Sequence, residues 1–272
     1  MSDVTFGKYY PSSSFVHKMD ARAKLILLIL YIVTIFVVKN FYGFLCVASF
    51  LALAVAAARI PVTKILRSMR AVLFVILLTV VLNVFFYQSK TQTILWSFKF
   101  IKITKEALLF SAFMAVRLLL LVVGSSLINL TTTPVALTDG IESLLTPLKI
   151  IKFPVHELAL VMSIALRFIP ILASEADRII NAQKARGADF ESGNLISRAK
   201  AMIPVLVPLL VSAFRRADEL GDAMDARCYS GSTVRTKYKK AKLGYRDFLG
   251  AFIMLAALAG VIVLNAFTGA AV

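Results

Sequence analysis

Apolar residues fall along the chain in long blocks rather than at alternating positions. Leu25 to Ala58 is apolar except at Lys39-Asn40 and Gly43. As one helix, those 34 residues would be about 51 Å long, well beyond a hydrocarbon core of about 30 Å. The block therefore predicts a hairpin of two short spans broken at the polar step. Ala71 to Tyr87, Ala107 to Leu130, and Phe248 to about Phe267 predict three more, the last interrupted only by Asn265.

The pattern changes over residues 131–247. Leu158 to Leu166 and Ala201 to Phe214 are apolar but short; the first runs into Arg167 and Pro170, and the second holds Pro204 and Pro208 and meets Arg215-Arg216. Runs of this length favour buried or interfacial helices over spans. Ile171, Leu172, Ala176, Ile179 and Ile180 recur at near-helical spacing, with Glu175, Asp177, Arg178 and Lys184 between them. Three amphipathic helices are predicted, about Pro134–Leu148, Pro154–Lys184 and Leu195–Ala226, with a glycine-bearing turn at 189–194. The predicted fold is an all-α membrane protein of about five transmembrane helices plus about three cytoplasmic helices. Its parts are residues 1–130, 131–247 and 248–272.

Composition agrees that the bilayer is the main solvent: 59% of the 272 residues are hydrophobic and the mean hydropathy is +0.82. Met1 to Lys24 is polar and predicts no cleavable signal. The net charge of +16 admits nucleic-acid binding until its distribution is examined. With the N-terminus inside, the cytoplasmic pieces 1–24, 59–70 and 131–247 hold 4, 4 and 17 of the 31 Lys and Arg residues, against 5 outside. This is the bias of a multi-pass protein of the cell membrane with a cytoplasmic N-terminus. The basic tail Arg235, Lys237, Lys239, Lys240, Lys242 and Arg246 predicts contact with anionic lipid, and no nucleic acid is needed to explain it.

Catalytic chemistry is hard to find. There is no glycine-rich phosphate loop, His17 and His156 are isolated, and Cys46 and Cys228 have neither metal-ligand nor disulfide spacing. Asp218, Asp222 and Asp225 share a helix face beside Glu219, which admits a magnesium-dependent lipid-headgroup transferase. Arg215, Arg216 and Arg227 lie within a few turns and offer those acids simpler partners. Arg117 stands in mid-span, where a charge costs at least about 2.5–3.5 kcal/mol. It predicts either a partner-facing contact or an internal pair. No catalytic residue, metal or cofactor is predicted.

A repeat is more informative. Ala176, Asp177, Ala182, Ala185 and Arg186 recur as Ala217, Asp218, Ala223, Ala226 and Arg227, each displaced by 41 residues. Each copy closes a helix and stops at a small residue, Gly187 or Cys228. Arginine at a helix end complements the helix dipole. A matched pair of such ends, with alanines that allow close approach, also suits docking into two similar protein grooves.

Through Ala185-Arg186-Gly187, Ala226-Arg227-Cys228 and the opening Met19-Asp20-Ala21-Arg22-Ala23-Lys24, nearly the whole chain resembles the transmembrane T component of energy-coupling factor transporters. Cys228 departs from the family's usual glycine. The resemblance implies a non-catalytic scaffold with no nucleotide site of its own. It would hold two cytoplasmic ATPases, one at each Ala-Arg element, and grip a separate membrane S component that binds a vitamin or transition-metal ion. An apolar groove of Met162, Leu166, Ile169, Val205, Leu209 and Val211 is the predicted surface for that component. A conventional importer permease is a further alternative, since Glu175-Ala176 is similar to that family's coupling loop without its glycine.

Overall fold

A computed structural model describes residues 9–86, 94–98, 101–151, 153–190, 192, 194–230 and 243–268. The basic tail at 235–242 lies outside them. The fold is helical, as the sequence predicts: α1 (Ala21–Val37), α2 (Phe41–Ala58), α3 (Val62–Phe86), α4 (Lys105–Thr131), α5 (Pro134–Leu145), a 3-10 turn (Thr146–Ile151), α6 (Val155–Ala185), α7 (Leu195–Asp225) and α8 (Tyr245–Thr268). The first apolar block breaks where expected, with Val38 capping α1 and Asn40 preceding α2. A short antiparallel hairpin, β1 (Ile94–Phe98) with β2 (Ile101–Thr104), stands between α3 and α4.

The chain forms two compact units. One comprises Gly7–Leu144 with Ala241–Val272, and the other contains Leu145–Lys240.

In the first unit α1 packs on α4 and α8, α2 on α4 and α8, and α3 on α4. Tyr31, Ile35, Phe44, Val47, Phe113, Leu120, Met254 and Val261 form its main core. Gly124 is required there, because a Cβ would lie 2.2 Å from the Tyr31 ring. The Tyr31 hydroxyl donates to the Leu120 carbonyl at 2.7 Å, so the phenol is satisfied without water.

Carbonyls at the end of α1 need donors that the bilayer cannot supply. Arg117 of α4 donates to the Val38 carbonyl at 3.0 Å, and Asn265 of α8 donates to that of Val37 at 2.8 Å. The Arg117 guanidinium also lies 4.9 Å from the Phe113 ring centroid. Of the two readings of Arg117, the internal one describes its contacts, but the acceptor is a backbone carbonyl rather than an acid. The opening motif is also a tie. Asp20 caps α1 by accepting from Arg22 N, its own N–H donates to Asp247 at 2.9 Å, and Lys24 donates to the Thr131 carbonyl at 3.0 Å.

In the second unit α6 and α7 are continuous helices of 31 residues, each about 46 Å long. They pass through Pro170, Pro204 and Pro208 and match the predicted helices Pro154–Lys184 and Leu195–Ala226 to within one residue at each end. By length and composition α2, α4, α6, α7 and α8 are all able to cross a membrane, whereas the apolar part of α3 is a shorter stretch, 72–85. That set shares α2, α4 and α8 with the five predicted spans.

Candidate functional site

A helix ends most simply when one residue turns left-handed and the last carbonyls are closed by the following N–H groups. Both Ala-Arg elements do this in the same register. After α6, Gly187 takes φ 85°, its N–H donates to the Lys184 carbonyl at 3.0 Å, and Ala188 N–H reaches the Gln183 carbonyl at 3.0 Å. After α7, Cys228 takes φ 55°, its N–H donates to the Asp225 carbonyl at 2.8 Å, and Tyr229 N–H reaches the Met224 carbonyl at 3.0 Å. Each donor and acceptor in the second end is its counterpart in the first displaced by 41 residues, so the sequence repeat is a repeat of backbone geometry. Cysteine in the glycine position keeps the turn.

These turns leave the side chains of both elements outward. Ala185, Arg186 and Gly187 are exposed, as are Ala226, Arg227 and Cys228. Two equivalent surfaces result, each a small-residue step with a guanidinium beside it. Such a surface fits a concave protein partner that supplies a carboxylate.

The helices bearing these ends pack on each other and are tied by side chains. Glu175 of α6 accepts from Arg216 at 2.6 Å and from Ser212 of α7 at 3.0 Å. Glu175 and Arg216 are themselves 41 residues apart, and each precedes its terminal arginine by 11 residues. The two ends thus lie equally far, roughly 16 Å along each axis, from the ion pair. Sequence reasoning missed this link, although the shared displacement was a signal for it. It also gives Glu175 a partner within the chain, unlike a coupling-loop acid presented to another subunit. Arg216 turns to Glu175 rather than to the acids on its own helix.

The apolar groove residues divide. Met162, Ile169 and Val211 are exposed, and Leu166 and Leu209 are half-buried, whereas Val205 is only 2% exposed. Val205 is therefore not open to a partner. Exposed neighbours that the reading omitted, Leu206, Leu210 and Phe214, extend the apolar surface of α7. Asp218, Glu219, Asp222 and Asp225 are exposed, and among the described residues no three His, Cys, Asp or Glu side chains are grouped to hold a metal.

The family described as "CbiQ: Cobalt transport protein" matches residues 12–238. The chain is similar to proteins called "Energy-coupling factor transporter transmembrane protein EcfT" in three organisms. It is 47% identical to that of Ruminiclostridium cellulolyticum over 97% of both chains, and 46% identical to that of Clostridium kluyveri over 94% of both. It is 41% identical to that of Bacillus subtilis over 95% of this chain and 97% of the relative. With identity of this level over almost the full length, the chain belongs to the CbiQ family and is a multi-pass transmembrane component of an energy-coupling factor transporter.

Proposed function

We propose that the chain is the non-catalytic scaffold of an importer for a vitamin or transition-metal ion, holding two cytoplasmic ATPases and one substrate-binding membrane S component. Arg186 and Arg227 each anchor one ATPase by pairing with an acidic group in its receiving groove, with Ala185 and Gly187, or Ala226 and Cys228, allowing close approach. In this reading α1–α4 and α8 span the membrane with the N-terminus inside, and α5–α7 lie on the cytoplasmic side. The observation that carries it is the pair of exposed helix ends built to one hydrogen-bond pattern 41 residues apart. Two like sites on one chain suit two like partners, and ATP-driven closure of those partners would move α6 against α7.

The test is substitution within the assembled transporter. Removing one member of a buried charge pair typically costs about 2–5 kcal/mol, so Arg186→Ala or Arg227→Ala should weaken attachment of one ATPase, and the double substitution should release both. Arg→Lys should rescue poorly, because an ammonium lacks the planar two-point contact. Arg198→Ala, outside both elements, is the control. In the same preparation Val211→Asp on the exposed apolar face should release the S component and leave the ATPases bound, whereas Val205→Asp, at a buried position, should unfold the helix pair. Normal assembly and transport by the double arginine variant would remove the two-anchor reading. Retention of the S component by Val211→Asp would remove the groove.

A further inference from the structure

The unit formed by Gly7–Leu144 and Ala241–Val272 contains a cavity of about 400 Å³, walled largely by apolar side chains such as Leu27, Leu28, Leu127 and Ile128. Helices α2 and α8 touch where the Cys46 thiol lies 3.9 Å from the Ala257 carbonyl. Nearer the end of α2 and the start of α8 they leave an opening. Leu53 and Ala57 on α2 and Leu249 and Ile253 on α8 line the cavity yet are exposed. The cavity is therefore a crevice whose open side faces the surroundings between two membrane helices. It lies toward the end of the bundle where α1 begins.

That end is basic. Phe15 lines the crevice, and the Arg246 guanidinium lies 5.8 Å from its ring centroid. The adjacent carboxylate is occupied elsewhere: Asp247 accepts from Asp20 N–H at 2.9 Å and from Gly244 N–H at 2.8 Å. Arg246 donates to the Tyr245 hydroxyl at 3.2 Å and forms no ion pair among the described residues. Lys18 and Arg22 belong to the segment that forms this wall. An apolar slot open to hydrocarbon, with a guanidinium beside the Phe15 ring of its wall, matches an acyl chain ending in a phosphate, and basic pockets between helices at the cytoplasmic face are sites for anionic headgroups.

We propose that the crevice between α2 and α8 holds one acyl chain of an anionic phospholipid from the cytoplasmic leaflet, with its phosphate on Arg246. The leaflet follows from the cytoplasmic N-terminus of the proposed topology, but the site requires neither the ATPases nor the S component. The test uses the full chain in its purified complex, reconstituted into nanodiscs of equal phosphatidylglycerol and phosphatidylcholine, with retained lipid measured by mass spectrometry after detergent washing. About a fivefold preference for phosphatidylglycerol is expected, the factor supplied by about 1 kcal/mol per cation near the surface. Arg246→Gln should reduce the preference to about onefold while some lipid is retained, and Ala54→Phe, which fills the crevice, should reduce retention of both lipids. Equal retention of the two lipids by the unsubstituted chain would overturn the proposal, as would an unchanged preference in Arg246→Gln. Cross-linking of Leu53→Cys to a partner helix in place of retained lipid would overturn it as well, because the crevice would then be a protein interface.

Discussion

At the scale of single residues, the second helix end does with cysteine what the first does with glycine. A side chain in the left-handed region crowds its own carbonyl at about 1–2 kcal/mol, and Cys228 bears that cost at φ 55°. Cys228→Gly should therefore stabilise the α7 end by about 1 kcal/mol, seen as slower amide exchange at Cys228 and Tyr229. Gly187→Ala should weaken the α6 end by a similar amount even though its Cβ would meet nothing within 4 Å, since the strain lies in the backbone. Unchanged exchange in both variants would mean that these turns do not hold the helix ends. The Ala-Arg elements were legible because they repeat in sequence. The partner of Arg117 was not, because a backbone carbonyl such as that of Val38 has no residue identity to read.

At the scale of elements, the bounds and continuity of α6 and α7 were legible within a residue or so from small residues and amphipathic spacing, but the length of their apolar parts was not. Proline costs about 3 kcal/mol inside an isolated helix. Three prolines nevertheless sit within these helices. The ion pair between them carries a prediction about coupling. Glu175→Arg should place a third guanidinium beside Arg215 and Arg216 and lower transport per ATP hydrolysed. The reversed pair Glu175→Arg with Arg216→Glu should recover most of the loss. Both side chains are partly exposed, so solvent screens the pair and the stability change should be small, and the readout is therefore the coupling ratio rather than unfolding. A reversed pair as defective as the single variant would show that the contact does not set the geometry of the two ends.

At the scale of the whole molecule, hydropathy alone does not assign α6 and α7 to a side of the membrane. Their apolar halves are long enough to cross, while the halves nearer the Ala-Arg ends carry Glu175, Asp177, Arg178 and Lys184, or Arg215, Arg216, Asp218 and Glu219. Placing them in the cytoplasm predicts that a cysteine at Asn194, in the exposed turn between them, reacts with membrane-permeant reagents but not with impermeant reagents applied outside intact cells. Labelling from outside would require α6 and α7 to cross. The most direct test of the account is the intact mass of the complex copurifying with the unsubstituted chain. The expected mass is that of one copy of this chain with two ATP-binding subunits and one additional small membrane protein. A complex with a single ATPase subunit, or with no additional membrane protein, would contradict a scaffold that uses both helix ends.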